Sequence, residues 1–319
     1  MSRGLGDVYK RQVSMRSYGA SRDDMTGLKE GDHLVGYGEV NTLDHVLFFT
    51  TQGTYGYTPV YEVEESRWKE IGSHINSTIR ISGEEKITDA FVLRSFATNA
   101  YMISVTKNGL VKKTAVQEYE VSRNNKTMSN MKLLDGDTVV KTMIAYDYDE
   151  ILIASRNGFV SRYPVSLIPN TSPRSKGVKA MNLVLDEVVS ACIHHEDASQ
   201  LIVFTDQCQV KRIKLSDIDV TGRPTKGSMI CKKVKSKPYQ IAHIALHELN
   251  DELVIINDET QKILAKDISL MSRDATFSSP LHTTQEYYFL RTLPIVEQRE
   301  LTAQPKQEYE EPELFEEES

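Results

Sequence analysis

A pattern of an apolar strand, a polar turn and a second strand recurs five times, and it restricts the fold more than any other feature. The turns lie at residues 53, 109, 158, 208 and 260, so their spacings are 56, 49, 50 and 52 residues. A second anchor follows several turns after 19 or 20 residues, at Gly72, Ser129, Gly177 and Gly227. A period near fifty residues in a strand-rich chain is typical of blades arranged in a ring. Counting the turn before Val13, the pattern predicts six units.

The residues of the turns and strands agree with an all-β fold. Asn108-Gly109 and Asn157-Gly158 supply the positive backbone angles that tight hairpins need. In the segment 212–215, apolar Ile213 and Leu215 alternate with two cations, as in a strand with one buried face. The alternative is a β-sandwich whose strands merely recur at this interval.

The formal net charge of −7 conceals an uneven distribution along the chain. Residues 105–240 carry 21 Lys and Arg against 14 Asp and Glu, whereas residues 297–319 carry nine acidic and two basic residues. A basic middle indicates either a surface that binds a polyanion or an ordinary solvated surface with uneven charge. Apolar runs are short, which predicts no transmembrane helix, and three cysteines without a Cys-x-x-Cys pair indicate a reducing cytosol.

The two ends of the chain differ from its middle. Residues 1–12 show no periodicity and are expected to form a non-native or disordered leader, and residues 13–296 to form the ring domain. The Glu-rich segment 297–319 is expected to be an acidic disordered tail. The turn at Tyr9-Lys10-Arg11 is out of register with Val13, so the first blade is expected to be incomplete. Both a closed ring and a ring that is open at this blade are compatible with the pattern.

Basic residues recur at equivalent places of the third to fifth units, after the turn and around the second anchor. Equivalent places on a ring trace a belt around its rim, and such a belt matches the phosphates of a bent duplex. For a single cation, an ordinary exposed strand residue is the simpler interpretation, but the repetition favours the belt. The candidate DNA-binding residues are Lys112, Lys113, Arg123, Lys126, Arg162, Arg174, Lys176, Lys179, Lys211, Arg212, Arg223 and Lys226.

Signatures of catalysis and metal binding are weak, and we predict no catalytic residue, no metal site and no cofactor for this chain. It has no Gly-x-x-x-x-Gly-Lys-Ser/Thr loop and no Gly-x-Ser-x-Gly elbow. His243 and His247 are four residues apart, but their stretch resembles a strand, and no third ligand follows at zinc-site spacing.

Four segments in a fixed order resemble the C-terminal domain of the A subunit of bacterial topoisomerase IV, in its Gram-positive form. The resemblance covers roughly residues 13–290, and its motifs are Val13 to Ser21, Asp44 to Gly53, Arg67 to Gly72 and Gly177 to Leu183. It implies a six-bladed β-pinwheel, a propeller-like ring that binds bent double-stranded DNA on its perimeter. In that family the domain serves a catalytic core, which binds magnesium and works with an ATP-hydrolysing B subunit in the bacterial cytoplasm, at the nucleoid. No tyrosine here stands in that core's catalytic context.

One departure from the related gyrase A subunit bears on function. Its first blade carries a Gln-Arg-Arg-Gly-Gly-Lys-Gly box that supports DNA wrapping, whereas here the comparable region reads Arg16-Ser17-Tyr18-Gly19-Ala20-Ser21. The resemblance therefore favours topoisomerase IV, with decatenation and relaxation in chromosome segregation, over the gyrase wrapping domain. Two other functions stay open: a propeller scaffold that binds proteins, and an enzyme that uses the central channel.

Overall fold

The chain folds into strands and short 3₁₀ turns. The computed structural model describes residues 2–5, 12–13, 36–66, 70–82, 85–121, 126–195, 200–231, 238–248, 251–256, 260–278 and 288–299, and these residues include no α-helix. None of the helical segments in these ranges could span a membrane. The all-β class predicted from the repeat is thus confirmed.

Six successive units provide three principal strands each. In the second to sixth units, the first strand lies between the second, which we call the outer strand, and the third, which we call the inner strand. The strands, unit by unit, are β1 (Ser2–Leu5), β2 (Gln12–Val13) and β3 (Gly36–Glu39); β4 (His45–Thr50), β5 (Thr54–Pro59) and β7 (Ile87–Leu93); β8 (Tyr101–Thr106), β9 (Leu110–Ala115) and β11 (Val139–Ala145); β12 (Glu150–Ser155), β13 (Phe159–Pro164) and β15 (Val188–His194); β16 (Gln200–Thr205), β17 (Val210–Lys214) and β19 (Ile241–Leu246); β20 (Glu252–Ile256), β21 (Thr260–Leu264) and β22 (Tyr288–Thr292).

Each of the first four outer strands receives a short fourth strand from the following unit. These exchanged strands are β6 (Ser73–His74) on β2, β10 (Met128–Ser129) on β5, β14 (Val178–Lys179) on β9 and β18 (Ser228–Met229) on β13. In the fifth unit, Ser278 pairs in the same way with Val210 of β17. The exchange explains the second anchor of the repeat, because the anchor lies where the incoming strand meets its neighbour.

Gly227 shows why an anchor position favours glycine. Its φ is +81°, and an added Cβ would lie 2.3 Å from the carbonyl oxygen of Val160 on the outer strand. Any larger residue would therefore push the exchanged strand away from the sheet that it completes.

The last described segment joins the end of the ring to its beginning. Strand β22 runs parallel to β3 of the first unit, and β23 (Ile295–Val296) runs parallel to β7 of the second. The Glu297 carbonyl accepts hydrogen bonds from Thr98 Oγ1 at 3.0 Å and from Tyr146 Oη at 2.7 Å. Residues 293–299, which we call the strap, therefore cross from the sixth unit to the third.

Described residues at both expected ends of the domain have partners in the ring. Ser2–Leu5 pairs with Gly36–Glu39, and Gln12–Val13 pairs with Ser73–His74, so these parts of the expected leader are strands. In the expected tail from 297 onwards, Arg299 exchanges two hydrogen bonds with Asn99. Tertiary partners far along the chain hold both segments, and periodicity within either segment could not show them. Residues 1, 6–11, 14–35 and 300–319 lie outside the described residues.

The core lies between neighbouring sheets. One cluster joins Ile103 and Val105 of the third unit to Ile151 and Ile153 of the fourth, and another joins Leu152 of the fourth to Leu201 of the fifth. Each sheet is therefore covered by its neighbours, as the ring arrangement requires.

Candidate nucleic-acid interface

Four of the expected DNA-binding cations are buried. Lys112, Lys113, Lys211 and Arg212 expose 2%, 5%, 0% and 8% of their surface. A belt of cations on the rim requires these four side chains at the surface, but the structure buries them. The exchanged strand covers the free edge of the outer strand, while the neighbouring unit covers its face.

Lys211 joins the fifth unit to the sixth. Its Nζ donates to the carbonyl oxygens of Arg273 at 2.7 Å and Ala275 at 2.8 Å, and it lies 4.8 Å from the ring centroid of Phe277. Burial lowers the pKa of this amine to about 8. The side chain thus stabilises the contact between two units and is not presented to a ligand.

Lys112 occupies the equivalent place two units earlier, but it has a poorer set of partners. Its Nζ contacts Thr114 Oγ1. Burial lowers its pKa to about 7, although the nearby Glu118 carboxylate opposes this shift. Burial thus favours the neutral form of the Lys112 amine, which makes it an unfavourable phosphate ligand.

The cation that follows on each outer strand is also engaged. Lys113 Nζ lies 3.1 Å from the Asp147 carboxylate, and Arg212 donates to the Lys266 carbonyl at 3.5 Å. Arg162 lies 2.6 Å from Glu150 and donates to the Leu215 carbonyl of the next unit at 2.9 Å. Arg162 and Arg212 thus join adjacent units, whereas Lys113 is paired in the loop that leaves its own unit.

Five of the expected cations are exposed and lie on the exchanged strands or on the loops that lead to them. They are Lys126, Arg174, Lys176, Lys179 and Lys226. None of the five forms an ion pair with a described carboxylate, and Lys226 Nζ lies 4.4 Å from the ring centroid of Phe159. Arg223 is half-buried and binds two backbone carbonyls, and Arg123 lies outside the described residues. That these residues contact DNA stays a prediction.

Two exposed cations of this surface were missed by the sequence pattern. Lys132 donates its backbone N–H to the Ser175 carbonyl at 3.1 Å, which places it beside the loop of Arg174 and Lys176. Arg80 is bridged to Lys126 through the backbone. Neither residue recurs at the equivalent place of the following unit, so the fifty-residue period gave no signal for them. We call Arg80, Lys126, Lys132, Arg174, Lys176, Lys179, Arg223 and Lys226 the rim cations.

The inner strands surround a central cavity of about 440 Å³. Its lining is mostly apolar, and Lys141 Nζ lies 2.5 Å from the Asp89 carboxylate there. Of the two weak metal-ligand candidates, His243 contacts Ser190 Oγ at 3.1 Å and His247 contacts Asp251 at 3.3 Å. The described residues contain no group of three His, Cys, Asp or Glu side chains suited to hold a metal ion.

Fold and surface together define a β-propeller of strand-exchanged units with cations around its perimeter. A family model described as the DNA gyrase C-terminal domain, a β-propeller, matches residues 44–94, 100–145, 149–194 and 199–247. The chain therefore belongs to this family, the C-terminal propeller domains of the topoisomerase IV and gyrase A subunits.

Similar proteins and structures agree with the family. The A subunit of DNA topoisomerase 4 is 31% identical over 248 residues in Staphylococcus epidermidis and 30% identical over 256 residues in Bacillus subtilis. The matches cover 78% and 80% of this chain but 31% of each relative, so the chain spans about a third of their length. A crystal structure of the C-terminal domain of DNA topoisomerase IV matches with a TM-score of 0.80 and 29% identity over 88% of both chains. The C-terminal domain of DNA gyrase A matches with a TM-score of 0.71 over 91% of this chain and 99% of its own, but at 18% identity it shows the fold alone.

Proposed function

We propose that this domain binds and bends double-stranded DNA as the non-catalytic C-terminal module of a topoisomerase IV A subunit. The observation that supports this most directly is the set of rim cations. Apart from Arg223, which binds backbone carbonyls, they are exposed and lack ion-pair partners among the described residues. Such cations gain free energy from phosphates because binding releases condensed counterions. The described residues of the rim form no α-helix that could enter a major groove, so binding is expected to tolerate most sequences and to favour deformable DNA.

The parent enzyme follows from the same proposal. The domain would present DNA segments to the catalytic core of the A subunit for strand passage, with magnesium in that core and ATP on the B subunit. It would act in the cytoplasm at the nucleoid, in decatenation, relaxation and chromosome segregation. The absence of a Gln-Arg-Arg-Gly-Gly-Lys-Gly box supports topoisomerase IV over gyrase.

A salt titration of duplex binding tests the proposal. With about eight phosphates neutralised, the logarithm of the binding constant should fall against the logarithm of salt concentration with a slope of about −7. The triple variant Arg174→Ala, Lys176→Ala, Lys179→Ala should bind all sequences more weakly, and its slope should be shallower by about three. Lys107→Ala is the control, because Lys107 is exposed but already paired with Glu187 at 2.9 Å. Equal affinities of the triple variant and the control at low salt would overturn the assignment of the rim.

A further inference from the structure

The 3₁₀ turn that follows the outer strand carries an acid in the second, third, fifth and sixth units, but not in the fourth. The acids are Glu62, Glu118, Asp217 and Asp267, and the fourth unit has Leu167 at this place. Two residues further on, the fifth unit has Asp219 where the fourth has Pro169. Residues 151–185 contain five Lys and Arg and no Asp or Glu. The fourth unit is thus free of carboxylates over most of its length.

This turn position is in contact with an arginine from the next unit. Arg223 donates to the Leu167 carbonyl at 3.1 Å and to the Lys179 carbonyl at 2.7 Å. Arg273, one unit later, donates in the same way to the Asp217 carbonyl at 3.2 Å. The backbone arrangement is therefore shared, and the two places differ in the side chain beside the guanidinium.

The side chains beside these two arginines change the electrostatic potential at a phosphate that binds there. Arg273 lies 3.9 Å from the Asp219 carboxylate, whereas Arg223 has leucine and proline at the corresponding places and forms no ion pair with a described carboxylate. A carboxylate so close to an exposed guanidinium offsets much of its field and also repels phosphate directly. Screening confines this effect to about 10 Å at 0.1 M salt, so it acts on one junction at a time.

We infer that the junction of Leu167, Lys179 and Arg223 is the principal phosphate anchor of the rim, and that the side chains at the Leu167 and Pro169 positions set the strength of each junction. This inference rests on the proposed DNA-binding function. Leucine leaves the junction cationic, and an acid at the equivalent place weakens the junctions on either side. The duplex is therefore held most firmly at this junction and more loosely where an acid occupies the equivalent place.

Reciprocal substitutions at equivalent places provide the test. Leu167→Asp should weaken duplex binding about five-fold at 0.1 M salt, whereas Leu167→Asn, which adds polarity without charge, should bind as the parent does. Asp219→Asn, which removes the carboxylate that lies 3.9 Å from Arg273, should tighten binding two-fold or more. Ile295→Asp is the control, because Ile295 is 37% exposed, close to the 44% of Leu167, and lies on the strap beside the inner strand β7. The control adds the same charge away from the rim cations and should change affinity less than two-fold.

The outcomes separate the two proposals. A parent domain that fails to bind duplex at low salt would refute the proposed function itself. If the parent binds but Leu167→Asp and Ile295→Asp weaken binding equally, or Leu167→Asn weakens it as much as Leu167→Asp, the anchor is wrong and the proposed function stands. Circular dichroism and melting temperatures should be alike for all variants, because each substituted side chain is partly exposed.

Discussion

Replacing the buried Lys112 by methionine should stabilise the domain, and the gain should depend on pH. The pKa of Lys112 falls from 10.5 to about 7 in the folded protein because the amine is buried. Each pKa unit corresponds to about 1.36 kcal/mol, so holding the charged amine there costs about 5 kcal/mol. Methionine fills similar space without a charge, but it loses the contact with Thr114, worth about 1 kcal/mol.

The pH dependence follows from proton uptake on unfolding. Because the folded pKa lies below the unfolded value, unfolding of the parent takes up a proton between about pH 7 and pH 10.5. The free energy of unfolding of the parent should therefore rise with pH across this window, relative to Lys112→Met. The variant should be more stable by about 2–4 kcal/mol at pH 7, and the difference should vanish near pH 10.

Urea unfolding at pH 7, 8, 9 and 10 measures this difference directly. Lys176→Met is the control, since Lys176 is exposed and its replacement should change stability by less than about 0.5 kcal/mol at every pH. A constant difference between parent and Lys112→Met from pH 7 to pH 10 would refute the reasoning, and so would a variant that is less stable throughout.

Three further substitutions test the contacts between units. Lys211→Met removes the donor to the Arg273 and Ala275 carbonyls, so hydrogen exchange of residues 272–278 should accelerate, whereas Lys112→Met should leave it unchanged. Gly227→Ala should lower the free energy of unfolding by about 2 kcal/mol or more in a denaturant titration, because φ is +81° and the added Cβ would collide with Val160. Gly222→Ala is the control and should be nearly neutral, because an added Cβ there has nothing within 4 Å. Val296 lies on the strap and is 1% exposed, so Val296→Ala should lower the free energy of unfolding by about 1–3 kcal/mol and accelerate hydrogen exchange of β7. Unchanged exchange of β7 would argue against a stabilising strap.

The strap packs against the ring, although its last residues belong to the Glu-rich segment 297–319. Arg299 lies over the Tyr146 ring at 4.5 Å, and its Nη1 lies 3.3 Å from His195 Nδ1 of the fourth unit. The last described residues thus contact the third and fourth units, which carry five of the eight rim cations.

The amino-acid sequence was sufficient for the all-β class, the fifty-residue unit and the presence of a basic middle. These depend on local features: Asn-Gly turns, apolar runs of strand length and anchor residues at a fixed distance. Each of these features lies within one unit and recurs in the next, so the period can be predicted without any knowledge of long-range contacts.

Only the tertiary structure decided which cations are available to a ligand. Lys112 and Lys179 are both lysines near an outer strand, yet the first is 2% exposed and the second lies on the outermost edge. Strand exchange and the neighbouring unit bury the outer strand from two sides, and both contacts join residues about fifty positions or more apart. The burial of a lysine depends on these distant partners, which the local sequence pattern does not contain. Burial in turn determines whether the lysine stabilises the ring or is available to bind a phosphate.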